Sequence, residues 1–205
     1  MTSVHELGQL YVGECVRRGP AGFRGKLKRM EFERVLTTFL EFFDRENIRY
    51  AIVGGLAVHA YGRLRSTKEV DFAVDLANRQ RVIAFAESLG YDTLLTSRAF
   101  SNHAHADAAW GRVDFMYFDP ATAAKVFAGS RPQQIMANIT ATVASPEHVA
   151  MMKALSMKNH PHRVLYEGHD VQVLMSAPGV DIESVRDYYR THGLLELFDA
   201  IVKKS

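Results

Sequence analysis

The order of predicted elements favours an α/β (α+β) fold, a mixed β-sheet flanked by helices and followed by a helical C-terminal part. Up to about residue 144, segments typical of buried strands alternate with segments of helical periodicity, and only helical patterns follow. Hydrophobic residues make up 47% of the 205 residues and charged ones 23%, which is typical of a packed globular chain. We therefore divide the chain into a basic N-terminal extension (1–30), an α/β core (31–144) and a helical part (145–205).

Each element of the core has its own signal in the sequence. A helix is predicted over 31–47, because apolar residues recur there at the spacing of one helix face. Further helices are predicted from turn and cap signals, and one begins at Asp119-Pro120, with proline in its first turn. Strands are predicted at 49–53, 70–74, 112–118 and 139–143, and helices at 56–61, 78–89, 147–158, 163–176, 182–192 and 194–203. The stretch around His103-x-His105-x-Asp107 is interpreted as a loop or hairpin tip.

Composition excludes several classes of protein. The single cysteine, Cys15, rules out an internal disulfide framework and a zinc ribbon. No segment approaches the ~18 apolar residues of a membrane span, and the first residues lack the apolar core of a signal peptide. We therefore expect a cytoplasmic protein without a membrane partner. The net charge of +2 is too weak to indicate nucleic acid, although residues 1–30 form a basic arm that either contacts phosphates or is solvated.

Three carboxylates are the candidate metal ligands. Glu69 and Asp71 lie one residue apart on a predicted strand, so both side chains point to the same face. Two carboxylates at that spacing repel one another unless a cation lies between them, and hard divalent cations prefer such oxygens. Asp114, inside the strongly apolar strand 112–118, is the natural third ligand and a candidate general base. The alternatives are solvated acids on an exposed strand face and a salt bridge from Asp114 to Arg112.

A pair of glycines precedes these acids. Gly54 and Gly55 follow a buried-type strand and precede an apolar helix, where backbone N–H groups can approach phosphate oxygens. A tight turn is an equally good explanation of the two glycines. Arg65 lies between the glycines and the carboxylates, so it either contacts phosphate or pairs with the acidic cluster. No G-x-G-x-x-G can be read there, which argues against a dinucleotide-dependent oxidoreductase.

Three motifs in one order resemble a known family. The string Gly54-Gly55-Leu56-Ala57, Gly62, Arg65, Thr67 and Glu69-Val70-Asp71 resembles the first motif of the AbiEii-type nucleotidyltransferases, members of the DNA polymerase β-like superfamily. The block Pro146-Glu147-His148-Val149 to Leu155 is similar to the family helix whose lysine, here Lys153, is implied to contact nucleotide phosphates. Arg163 and Gly168-His169-Asp170-Val171 resemble the closing segment, with Asp170 at its acid. The matches span about residues 49–175.

The resemblance implies both a fold and a function. The fold would be a nucleotidyltransferase-type mixed sheet, and the reaction a transfer of NMP from an NTP to an acceptor hydroxyl with Mg²⁺ or Mn²⁺. Glu69, Asp71 and Asp114 would hold the metal and act in catalysis. The implied nucleotide-binding residues are Gly54, Gly55, Arg65, Thr67, Lys153 and Asp170. RNA, such as tRNA, is among the implied acceptors, with the protein acting as the toxin of a toxin–antitoxin pair and an antitoxin protein as its partner.

One substitution favours an alternative from another class. The family normally has Asp at the first metal position, where this chain has Glu69. The added methylene moves the carboxylate, and Mg²⁺ demands near-ideal ligand geometry. The alternative is therefore a catalytically impaired nucleotide- or partner-binding module on the same fold.

Overall fold

A computed structural model describes residues 30–62 and 67–203, and within them the strands form one mixed sheet. The strands are β1 (Tyr50–Ile52), β2 (Glu69–Asp75), β3 (Tyr91–Thr96), β4 (Phe100–His105), β5 (Arg112–Phe118), β6 (Arg131–Met136) and β7 (Ile139–Val143). Their order across the sheet is β3-β4-β5-β2-β1-β7-β6. The pairs β2/β5 and β1/β7 are parallel, and the other neighbours are antiparallel. The predicted α/β architecture with a mixed sheet is confirmed.

Helices flank the sheet and make up the C-terminal part of the described chain. They are α1 (Phe32–Arg45), α2 (Gly54–Ala60), α3 (Arg79–Ser88), α4 (Pro120–Gly129), α5 (Pro146–Asn159), α6 (Val164–Met175), α7 (Ile182–Thr191) and α8 (Leu195–Val202). Short 3-10 turns cover Leu76–Asn78 and Pro161–Arg163. Asp119 caps α4 by accepting from the amides of Ala121 and Thr122, as its place before Pro120 predicts. Among the described residues, none of these helices is both long enough and apolar enough to cross a bilayer.

The aromatic core lies on one face of the sheet, so the acidic residues of β2 and β5 that alternate with it lie on the other face. Phe39 of α1 is fully buried and packs its ring against Phe72 of β2 and Phe115 of β5, at centroid distances of 5.8 and 5.7 Å. Burying one such ring contributes about 1.5–3 kcal/mol. Because successive strand residues alternate faces, Asp71 and Asp114 point away from this core.

Two strands differ from the sequence-based prediction. The loop or hairpin tip predicted near His103 is instead strand β4, and the His103 side chain is fully buried. The two ring nitrogens of His103 hydrogen-bond to Ser101 and Thr93. The buried imidazole therefore has a polar partner at each nitrogen, which makes its burial tolerable. Strand β6 was not predicted, because it lies at the sheet edge and buries Ile135 alone, which leaves no alternating pattern to read.

The predicted boundaries shift at two places near the site. Helix α2 begins at Gly54 rather than at residue 56, so both glycines belong to its first turn. Asp75, which stands where a helix cap is expected, ends β2 and makes no side-chain cap hydrogen bond. Its carboxylate instead pairs with Arg49 at 3.2 Å. The basic extension predicted for 1–30 falls outside the described residues except for Met30.

Candidate metal and nucleotide site

Parallel pairing of β2 with β5 brings the three predicted carboxylates together. Asp71 is in direct register with Asp114, and Glu69 lies two residues earlier on the same face of β2. One carboxylate oxygen from each residue lies within 4.8 Å of the other two. A divalent cation needs several oxygen ligands converging at such spacing, so the three residues could hold one.

Burial and mutual repulsion make this cluster electrostatically unfavourable in the absence of a cation. Burial, followed by the charges of Glu69 and Asp114, raises the pKa of Asp71 well above its usual range. Burial and the charge of Glu69 raise the pKa of Asp114 to about 6, although Arg112 acts in the opposite direction. Asp114 Oδ1 is buried and has no hydrogen-bond partner among the described residues. An oxygen without a hydrogen-bond partner, on one of three clustered carboxylates, fits a hard cation as the missing partner.

The alternative role of Asp114, a salt bridge with Arg112, is present only in a weak form. Arg112 Nη2 lies 3.9 Å from Asp114 Oδ2, and the Arg112 side chain is 48% exposed. A long contact from a largely exposed arginine contributes little. It also leaves the other oxygen, Oδ1, without a partner.

The first turn of α2 lies directly against Asp71. Gly54 adopts a φ of +61°, which side-chain-bearing residues rarely occupy, and a Cβ there would lie 2.1 Å from Asp71 Oδ2. The Gly55 amide faces the same carboxylate and lowers its pKa, partly offsetting the effect of burial. The Val53 N–H donates to the backbone oxygen of Asp71 at 3.0 Å. Glycine is therefore required at position 54 because the backbone and the acid approach so closely.

Lys153 is buried rather than solvated at the edge of its helix, α5. Its side chain is 7% exposed and lies between two carboxylates, Glu167 and Asp170, with the Asp170 Oδ2 at 2.6 Å. Arg163 contacts the second oxygen of Glu167 at 2.6 Å. We call Lys153, Arg163, Glu167 and Asp170 the buried ion cluster; it joins α5 to α6.

The buried ion cluster also extends towards the carboxylates of the sheet. The charge of Lys153 lowers the pKa of Asp71, so the ammonium group lies close enough to act on the acidic cluster. Glu167 was not predicted as a site residue. Its spacing of three residues from Asp170 and four from Arg163 puts all three on one helix face, which was the available signal.

The other predicted nucleotide-binding residues are Arg65, Thr67 and Asp170. Thr67 lies just before β2 and donates its hydroxyl to the backbone oxygen of Glu69 at 3.1 Å, so it holds the strand entry. Arg65 lies outside the described residues. Asp170 is 1% exposed and belongs to the buried ion cluster.

A cleft of about 510 Å³ is lined by residues of both the carboxylate cluster and the buried ion cluster. Gly54, Gly55, Glu69, Asp71 and Lys153 all line it. Much of the remaining lining comes from apolar side chains of β4, β5, α4 and α5. A mainly apolar cleft with a few converging polar groups is the usual form of a small-molecule site.

Comparison with known proteins adds evidence about the fold. No protein-family model matches the chain. No curated protein sequence matches it either. Solved structures do resemble it, at low sequence identity.

Three of these structures are nucleotidyltransferases or resemble them. The chain is similar to an antigenic nucleotidyltransferase-like protein from Paracoccidioides brasiliensis, with a TM-score of 0.54, 15% identity, and coverage of 84% of this chain and 92% of the other. It is similar to ANT(2")-Ia in complex with adenylyl-2"-tobramycin, with a TM-score of 0.51, 18% identity, and coverage of 84% and 98%. It is also similar to the lincosamide antibiotic adenylyltransferase LnuA with bound lincomycin, with a TM-score of 0.51, 18% identity, and coverage of 73% and 99%. The chain therefore has a nucleotidyltransferase fold.

Proposed function

We propose that this protein is a metal-dependent nucleotidyltransferase that moves an NMP from an NTP to an acceptor hydroxyl. The observation that carries the proposal is the convergence of Glu69, Asp71 and Asp114 within 4.8 Å, on the sheet face against which the glycine turn of α2 packs. The nucleotidyltransferase fold of the chain is consistent with this chemistry.

Each part of the site has a role in this proposal. Glu69, Asp71 and Asp114 hold Mg²⁺ or Mn²⁺, which when bound neutralises phosphate charge and lowers the pKa of the acceptor hydroxyl. Gly54 and Gly55 bring backbone close to the phosphates, because neither carries a side chain that would keep them apart. Lys153, with Asp170 holding its ammonium group, supplies positive charge to the cleft from α5, which packs against α2. Arg65 and Thr67 stay predicted nucleotide-binding residues.

The proposed transfer is a displacement at the α-phosphorus of the NTP. The acceptor oxygen forms a bond to the α-phosphorus, the bond from that phosphorus to the bridging oxygen breaks, and pyrophosphate leaves with the bonding pair. Asp114, the candidate general base, takes the proton of the acceptor hydroxyl.

The acceptor is the less defined half of the reaction. Two similar structures hold small hydroxylated antibiotics or their products, lincomycin in LnuA and adenylyl-2"-tobramycin in ANT(2")-Ia. A tRNA acceptor, a toxin role and an antitoxin partner are proposals that rest on the motif resemblance alone. The acceptor test must therefore include both RNA and small molecules.

Label transfer from α-labelled NTPs tests the proposal. Wild-type protein with Mg²⁺ or Mn²⁺ would be incubated with tRNA, total RNA, cell protein and a small-molecule extract. We expect label in one pool with wild type and none with Asp71→Asn. Asp92→Asn, an exposed carboxylate on β3, is the matched control and should transfer normally.

The same experiment separates the alternative, a catalytically impaired nucleotide- or partner-binding module. That alternative is favoured by Glu69 at the first metal position and by the pairing of Lys153 with two carboxylates. Metal-dependent NTP binding in calorimetry, with no transfer to any pool, would support the module and contradict the enzyme.

A further inference from the structure

We propose that the apolar end of the cleft is the acceptor subsite, and that it takes a small hydroxylated molecule with an apolar body and no positive charge, either neutral or anionic. This inference rests on the proposed nucleotidyl transfer. It names a class of acceptor that differs from a polycationic aminoglycoside and from RNA.

The acidic cluster has two sides within the sheet. In the sheet, β1 lies on one side of β2 and β5 on the other. The glycine turn follows β1, and helix α5, which carries Lys153, packs against α2 on that same side. In an in-line displacement the leaving and attacking oxygens lie on opposite sides of the phosphorus. With pyrophosphate at the glycine turn, the acceptor must approach from the side of β5 and β4.

The floor of the cleft on that side is apolar. Along β5, Met116 and Phe118 follow Asp114 on the same face at two-residue spacing. Phe100 of β4 is in register with Met116 and extends the floor towards the sheet edge. Phe100, Met116 and Phe118 all line the cleft, as does Val126 of α4. This surface suits the apolar body of an acceptor.

The charged groups of the cleft limit which acceptors it can take. The carboxylates of the cleft lining, within the described residues, are Glu69, Asp71 and Glu167. Glu69 and Asp71 belong to the metal cluster, and Glu167 already contacts Lys153 and Arg163. No carboxylate of the described lining is therefore left to receive the amino groups of a polycation, whose burial without a partner is expensive.

The sequence of the undescribed segments does not restore that missing negative charge. Residues 1–29, 63–66 and 204–205 contain only two acids, Glu6 and Glu14, against nine Lys and Arg. Lys125, an exposed lysine of α4 and the neighbour of Val126 in the sequence, also lines the cleft. Among the described residues, no ion pair joins Lys125 to a carboxylate. A neutral or anionic acceptor is the complement of such a surface.

Three matched alcohols test this proposal through binding rather than activity. They share one aromatic body and differ in charge: para-(hydroxymethyl)benzoate, para-methylbenzyl alcohol and para-(aminomethyl)benzyl alcohol. Their dissociation constants would be measured by saturation-transfer NMR on the full chain with Mg²⁺ and a non-transferable NTP analogue. We expect the benzoate and the neutral alcohol to bind, and the amine to bind roughly fivefold more weakly than the benzoate, as for one exposed charge contact.

Lys125→Glu is the decisive variant, because Lys125 is exposed and its replacement does not disturb the core. We expect it to reverse the order of the benzoate and the amine, and Lys125→Gln to remove the difference between them. The proposal would be overturned if Lys125→Glu left the order of the benzoate and the amine unchanged. It would also be overturned if wild type bound the amine or tobramycin as tightly as the benzoate or more tightly, or if none of the three alcohols bound. Label transfer to tRNA would overturn it as well.

These outcomes are distinguishable from failure of the proposed function. Charge-selective binding of the alcohols without any NMP transfer leaves the subsite standing and contradicts the enzyme. Transfer to a polycation alone leaves the enzyme standing and contradicts the subsite.

Discussion

Asp114 combines a role in the proposed chemistry with a cost to stability. Its side chain is 15% exposed, one of its oxygens is buried without a hydrogen bond, and two carboxylates of β2 lie nearby. The folded state therefore favours the protonated carboxyl, and the ionised form is tolerated at neutral pH at the expense of the free energy of unfolding. Residues placed for function often have this character.

This cost has a defined dependence on pH. Because the pKa of Asp114 is raised to about 6 from its ordinary value of 3.8, the folded state binds the proton more tightly than the unfolded state. Its contribution to stability is largest below the unfolded pKa and is lost as the pH rises towards 6. We expect Asp114→Asn to raise the free energy of unfolding of the metal-free protein above pH 6 by about 1–3 kcal/mol, with little effect at pH 4. Urea denaturation with EDTA across this range measures the difference.

Asp199 provides a control, because its substitution should change the stability at neutral pH in the opposite direction. The guanidinium of Arg186 holds the pKa of Asp199 below its usual range, so its contribution is present at neutral pH and is lost in acid. Asp199→Asn should therefore slightly lower stability at pH 7. A less stable Asp114→Asn protein at pH 7 in EDTA would contradict the electrostatic account of the site.

At the scale of the element, the buried ion cluster ties α5 to α6 through charge rather than through apolar contact alone. Lys153 and Glu167 are 7% and 6% exposed, so water provides little of their solvation. Once both partners are buried, each one depends on the other to offset its desolvation. The cluster therefore holds α6 in place and keeps an ammonium group in the cleft.

Removing one member of the cluster should show this dependence. We expect Lys153→Met to destabilise the protein by about 3–5 kcal/mol, because it removes the cation that lies between two buried carboxylates. Glu167→Gln should be milder, since Lys153 keeps Asp170 at 2.6 Å and the part-exposed Arg163 can turn to water. Denaturant midpoints measure both, with the exposed Asp187→Asn as a control that should show no change. Equal effects of the two cluster variants would contradict a shared lysine.

The same elements show how far the sequence predicts this structure. Helical periodicity and caps located α1 and the four C-terminal helices within a few residues, because burial on one helix face leaves a regular pattern. Strands β4 and β6 left no such pattern, since β4 buries polar side chains that bond to one another and β6 buries a single residue. Local sequence carries no information about such tertiary partners.

The site was predictable to a similar degree. Alternation on β2 placed Glu69 and Asp71 on one face, and the structure brings Asp114 beside them through strand register. The burial of Lys153 was not predictable from its helix, because the carboxylate of Glu167 that makes burial tolerable comes from the next helix.

At the scale of the whole molecule, the cleft has two walls from separate stretches of chain. The face of β2 and β5 supplies the acidic cluster, and α5 and α6 supply the buried ion cluster. A nucleotide that contacts both must couple them, because a ligand stabilises every element whose opening would release it. Metal alone should act on the sheet wall only.

Hydrogen exchange tests this coupling on the intact protein. We expect Mg²⁺ alone to slow amide exchange in β2 and β5, and addition of a non-transferable NTP analogue to extend the slowing to α2 and α5. Asp71→Asn should abolish both effects, while β6, at the far edge of the sheet, should stay unchanged throughout. Protection that reaches α2 but never α5 would show that Lys153 serves the packing of α5 on α6 alone, and that the nucleotide is held entirely by the sheet wall.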